Sequence, residues 1–158
     1  MLQSDPATFL DAACTLAAQN VQSGGGPFAA LVVRNREIIA TGVNQVTLLH
    51  DPTAHAEVQA IRNACLKLQT FQLVECELYS SCEPCPMCLG AIYWARLQCV
   101  WYAATQTDAA TFGFDDKHIY DQINQPNLER KIPFKTCSCN QKLAPFLAWQ
   151  NSQDRTLY

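Results

Sequence analysis

The chain has 158 residues, 49% hydrophobic and 16% charged, and a formal net charge of −3. That length suits a single domain, residues 1–158, which buries about 68 to 70% of the surface of its unfolded chain and needs no staple. No apolar run approaches the roughly 20 residues of a membrane span, and the scattered basic residues lack the stripe that binds a phosphate backbone. A small neutral substrate is therefore expected, with neither nucleic acid nor membrane as partner. Nine cysteines, odd in number and irregular in spacing, argue against a disulfide framework. Most of Cys14, Cys65, Cys76, Cys99, Cys137 and Cys139 are expected to be small buried hydrophobes. The opening Met1-Leu2-Gln3-Ser4-Asp5-Pro6 has neither the basic start nor the apolar stretch of a secretory leader, so a cytoplasmic location is expected.

Ser4 or Asp5 is placed to cap a first helix with Pro6 in its opening turn, and Phe9, Leu10, Ala13, Leu16, Ala17 and Val21 follow at helical spacing. Ser23-Gly24-Gly25-Gly26-Pro27 ends it. The Lys-Ser or Lys-Thr of a phosphate loop is absent, so the glycines are read as a flexible turn. Segments 28–33 and 37–41 are short and rich in β-branched residues, with Arg34-Asn35-Arg36 as the turn of a hairpin. Asp51-Pro52-Thr53 then starts a helix carrying Val58, Ile61, Ala64, Cys65 and Leu68 on one face, which puts His55 and Glu57 in its first turn. Side chains there tilt back past the helix end and converge beyond it.

A strand at 77–80 delivers Cys82, and Pro84 and Pro86 suit the start of a helix on which Cys85 and Cys88 share a face. Further elements are a strand at 98–104, a loop with a helical turn through 107–119, a last strand at 134–139 and a last helix at 143–151. Cys137-Ser138-Cys139 has no nearby His or Cys to complete a second metal pair and is read as strand. The alternation predicts an α/β fold, a three-layer α-β-α sandwich around a mixed five-stranded sheet.

His55-Ala56-Glu57 followed by Pro84-Cys85-Pro86-Met87-Cys88 fits the H-x-E and P-C-x-x-C signature of zinc deaminases. His55, Cys85 and Cys88 would hold one zinc per chain, with the fourth position left for a hydroxide made at neutral pH, and Glu57 free to carry protons. A closed structural zinc with Cys82 as fourth ligand is the competing reading. His50 and His118 are expected at the surface.

Beyond these motifs the chain resembles the bacterial guanine deaminases of the cytidine/deoxycytidylate deaminase superfamily. The likeness runs through Gly25-Gly26-Pro27-Phe28, Gly42-Val43-Asn44, Asp51 to Glu57, Ser81 to Trp94, Gly113-Phe114-Asp115-Asp116 and Tyr158. The tRNA adenosine deaminases match the zinc motifs almost as well, and the Gly113–Asp116 loop and final tyrosine separate the two. The resemblance implies hydrolysis of guanine to xanthine and ammonia. It gives Asn44 a hydrogen bond to the base, Phe28 and Trp94 either a place at its ring or in the core, and the Ala56 backbone or the zinc-bound water the remaining edge contacts. Asp116, with Asp115 as the fallback, would be a second carboxylate. The resemblance further implies a homodimer in which residues of about 143–158 exchange and Tyr158 closes the partner's site; a frayed end is the other reading. A deaminase of another base, and a non-catalytic zinc-stabilised binding module, remain the competing functions.

Overall fold

The computed structural model describes residues 5–158, which divide into two compact units, one closing at Asp116 and the other spanning Lys117–Tyr158. In the first unit, helix α1 (Pro6–Gln22) begins at Asp5, whose carboxylate accepts the Ala7 amide at 3.2 Å, with Pro6 in the first position. The alternative cap, Ser4, lies outside the described residues. Strands β1 (Ala29–Arg34) and β2 (Glu37–Val43) form the expected hairpin. Its two-residue turn, Asn35-Arg36, has both φ angles positive, at 52° and 67°, the combination whose twist matches that of paired strands.

The chain continues through α2 (Val46–Leu49), α3 (Ala56–Leu68), β3 (Glu77–Cys82), α4 (Pro86–Ala95), β4 (Cys99–Ala104) and α5 (Gln106–Thr111). The strands lie in the order β2-β1-β3-β4, with β1 antiparallel to both neighbours and β3 parallel to β4. This is a mixed sheet, and α4 supplies the crossover that parallel neighbours require. Alternation along β1 divides the core between two faces. Ala30 and Val32 join Ala56, Ala60, Ala64, Leu78 and Ile92 under α3 and α4, while Leu31 and Val33 join Phe9, Ala13 and Tyr79 under α1. Each fully buried Leu or Val side chain contributes about 1.5 to 3 kcal/mol. Gly42 lets α3 lie close on β2, since a Cβ there would stand 2.2 Å from Ala56 O and from Ala60 N.

The three layers hold, but the sheet has four strands where five were expected. Residues 134–139 form no strand, and the Lys117–Tyr158 unit contains only α6 (Lys117–Ile123) and α7 (Ala144–Asn151) with irregular chain between. A strand needs a ladder partner, and that unit offers none among the described residues. The cysteine expectation also needs correcting: of the six, Cys76 alone is buried, Cys65 and Cys99 are half-buried, and Cys14, Cys137 and Cys139 are exposed. Cys14 follows the buried Ala13 and so turns outward on α1, and the last two lack the sheet that would have covered them. Among the described residues no helix is long and apolar enough to cross a membrane.

Candidate metal centre and active site

Helix α3 starts later than its sequence pattern suggests. The Asp51 carboxylate accepts both the Thr53 amide and hydroxyl, at 2.8 and 2.7 Å, and Ala54 N–H donates to Asp51 O, so this stretch folds as a turn. His55 is then the N-cap, in extended conformation, and Glu57 is the second helical residue. A histidine outside the helix escapes the constraint that sends residues two apart in opposite directions. Cys85 is likewise the N-cap of α4, with Pro86 in the first turn and Cys88 one turn in. Two helix N-termini therefore converge, and their partial positive charge stabilises thiolates placed there.

His55 Nδ1 lies 3.5 Å from Cys85 Sγ and 3.5 Å from Cys88 Sγ. Tetrahedral zinc, bonded at about 2.3 Å to sulfur and about 2.0 Å to nitrogen, would set each N–S pair about 3.5 Å apart. The donor set and its spacing thus fit zinc. Among the described residues the gathered donors are His55, Cys85 and Cys88. Cys82, the candidate fourth ligand, is outside the group: its Sγ–H points to Thr105 O at 3.8 Å, and burial pushes the thiol up to about 11.

The clustered donors shift one another's proton affinities in opposite directions. The Cys88 thiol hydrogen-bonds Cys85 and, with His55, brings the Cys85 thiol down to about 4, while the same bond and burial push Cys88 up. The bond to Cys85 also raises His55 above the ordinary imidazole value. Glu57 is only 6% exposed, and burial raises its carboxyl above the usual carboxylate range. Its Oε2 lies 3.4 Å from Cys88 Sγ, and its Oε1 accepts from Ser80 Oγ at 3.4 Å.

A second group of residues is locked together nearby in the sequence. Asn44 is buried, its Oδ1 accepts the Val46 amide at 3.3 Å, and its amide nitrogen stays available for a further acceptor. Asn20 was missed by sequence reasoning. From its buried place on α1, Asn20 Nδ2 donates to Gly26 O and to Asn44 O, both at 2.8 Å. The signal is a polar residue on the apolar stripe, one position before Val21, which is half exposed. The glycine run, expected to be a flexible turn, is a close-packed one. A Cβ on Gly25 would stand 2.3 Å from Asn20 Nδ2, and one on Gly26 would stand 2.7 Å from Asn44 Oδ1.

Phe28 N–H donates to Gly26 O, Asn44 N–H donates to Phe28 O, and the Phe28 ring meets Phe114 edge-on at 5.0 Å. The Ala56 backbone opens α3 and is fully buried. Asp116 is half-buried and its carboxyl is raised by burial and by the Cys85 charge, whereas Asp115 is exposed. Trp94 stands 67% exposed on α4. In the Lys117–Tyr158 unit, Tyr158 is 71% exposed, with its ring edge-on to Trp149 at 6.2 Å. His50 and His118 are at the surface, as expected.

Comparison with known proteins agrees with this chemistry. Residues 3–104 match the family described as the cytidine and deoxycytidylate deaminase zinc-binding region. The chain is 56% identical to the guanine deaminase of Bacillus subtilis over 96% of its length and 97% of the relative's. The X-ray structure of a guanine deaminase from B. subtilis superposes with a TM-score of 0.95 at 55% identity, covering 98% of this chain and 99% of the other. A tRNA-specific adenosine deaminase from Aquifex aeolicus is 35% identical over 80% of this chain and 82% of its own. The fold, the His55-Cys85-Cys88 donor trio and these likenesses together make the chain a member of the cytidine and deoxycytidylate deaminase family.

Proposed function

We propose that this protein is a zinc-dependent guanine deaminase that hydrolyses guanine to xanthine and ammonia. The observation that carries the reading is the buried Glu57 beside a three-donor cluster, in a chain 56% identical to a guanine deaminase over nearly its whole length. A tRNA adenosine deaminase is the weaker reading, because that likeness is 35% over 80% of the chain.

His55, Cys85 and Cys88 would hold one zinc per chain. When bound there, zinc supplies Lewis-acid activation of water. Glu57 has the position and the raised proton affinity to do the rest. Its Oε2 takes a proton from the attacking water, delivers it to a ring nitrogen of guanine, and helps protonate the amine as it leaves the ring carbon. Asn44 Nδ2 donates to the base, and the locked Asn44 Oδ1 fixes which way that amide faces. Phe28 and Trp94 are assigned to the ring, the Ala56 backbone to its polar edge, and Asp116 to a second carboxylate that accepts from the purine.

The protein would act as a cytoplasmic homodimer. Nine free cysteines support a reducing compartment. Exchange of residues of about 143–158 between subunits, with Tyr158 closing the site of the partner, is supported by the apolar side chains that this segment leaves exposed, Leu143, Phe146, Leu147 and Leu157 among them. Ammonia release from free guanine, cytosine and an adenosine-containing tRNA stem-loop, assayed side by side, tests the substrate. Guanine should dominate, and preferred turnover of the RNA would overturn the assignment.

A further inference from the structure

Successive side chains of a strand alternate between faces, so Leu78, Ser80 and Cys82 of β3 share the face under α3 and α4. Their neighbours on β1 are Ala30, opposite Ser80, and Val32, opposite Leu78. Ala30, Val32 and Leu78 all belong to the apolar cluster on that face. Ser80 therefore places a hydroxyl, 1% exposed, in an otherwise apolar row. A buried hydroxyl without a partner costs about 1 to 3 kcal/mol, so the partner explains the residue. Here Cys82 N–H donates to Ser80 Oγ at 3.5 Å, and Ser80 Oγ–H donates to Glu57 Oε1 at 3.4 Å. The incoming bond on the oxygen leaves the hydroxyl hydrogen to point at the carboxylate. Ser81, next along the strand, accepts the Ala29 amide at 3.1 Å and braces the sheet instead.

We propose that Ser80 is a positioning residue that anchors Oε1 of Glu57 and so presents Oε2 to the metal ligands and the reacting water. The inference rests on the reading of Glu57 as proton carrier. It distinguishes the two carboxylate oxygens: one is tethered to β3, and the other faces Cys88 at 3.4 Å. In the zinc-loaded protein Cys88 would be a thiolate with no proton to donate, which leaves the Ser80 hydroxyl as the side-chain donor that orients the carboxylate.

Ser80→Thr and Ser80→Val, nearly equal in volume, separate the hydroxyl from packing. For each, zinc per chain, thermal midpoint, and kcat and KM for guanine are measured. Both should carry the wild-type zinc content. The valine variant should lose about 10- to 100-fold in kcat with KM little changed, as is typical when a supporting hydrogen bond to a site residue is removed, and threonine should restore most of it. Ser80→Ala, which adds no atoms to the layer, should show the same loss in kcat and keeps the test decisive if a β-branched side chain is not accommodated. Equal kcat for threonine and valine, full kcat for alanine, or a loss that resides in KM or zinc content overturns the assignment. Glu57→Gln, measured alongside, separates the two ideas. Normal turnover there defeats the proton-carrier reading itself, whereas an inactive Glu57→Gln with a fully active Ser80→Ala defeats the Ser80 inference alone.

Discussion

The two units of the chain are held in different ways. In the unit closing at Asp116, the candidate functional side chains leave elements whose opposite sides are packed, so their positions follow from the fold: His55 and Cys85 cap α3 and α4, and Glu57 sits about one and two turns before the fully buried Ala60 and Ala64. In Lys117–Tyr158 no residue is buried, although Leu128, Ile132, Phe134, Phe146 and Leu157 are apolar. The first unit holds the candidate site on packed elements. The second carries apolar surface that would gain by being covered, which is why the proposed function gives it to the subunit interface.

Variants should divide along that line. The largest effect is expected from Cys85→Ala, which removes a ligand from the trio and should abolish both zinc binding and ammonia release, read by metal analysis and activity; a chelator should do the same to the wild type. Asn20→Ala is next. It removes the two side-chain hydrogen bonds that tie α1 to Gly26 O and Asn44 O, which keep only the Phe28 and Gly26 amides as donors, and at about 0.5 to 1.5 kcal/mol each should destabilise the protein by about 1 to 3 kcal/mol in urea unfolding, with a raised KM for guanine. Gly26→Ala should also raise KM more than it lowers kcat, because its Cβ would displace Asn44. Deleting Tyr158 should lower turnover while shifting unfolding by less than about 0.5 kcal/mol, as for other exposed positions; unchanged turnover would return the tail to a frayed end. The smallest effect on metal is expected from Cys82→Ala, which should keep its zinc because that thiol faces Thr105.

The parts of the molecule legible in sequence are those encoded locally. The trio and Glu57 lie in two short motifs near helix starts, that of α4 marked by Pro86 and that of α3 displaced from its Asp51-Pro52-Thr53 signal to His55, and the elements from α1 to β4, the short α2 apart, follow periodicities of their own residues. What the sequence did not reveal depends on distant partners. Alternation at 134–139 looks like a strand, but a strand exists only beside another. Asn20 interrupts an apolar stripe for reasons visible only when Gly26 and Asn44 come within 2.8 Å of it. The glycine run has the composition of a mobile turn, yet two of its residues are there because no side chain fits. Ser80 resembles any serine in a strand until Glu57, 23 residues earlier, is seen across from it.

In the proposed site, holding the metal and moving the proton are separate tasks, the first given to the trio and the second to Glu57. Metal content and guanine turnover of Glu57→Gln, measured on the same preparation, test this division most directly. The variant should keep a wild-type zinc content with turnover reduced by about 10²- to 10⁴-fold. Wild-type turnover, or loss of the zinc along with the activity, would contradict the division.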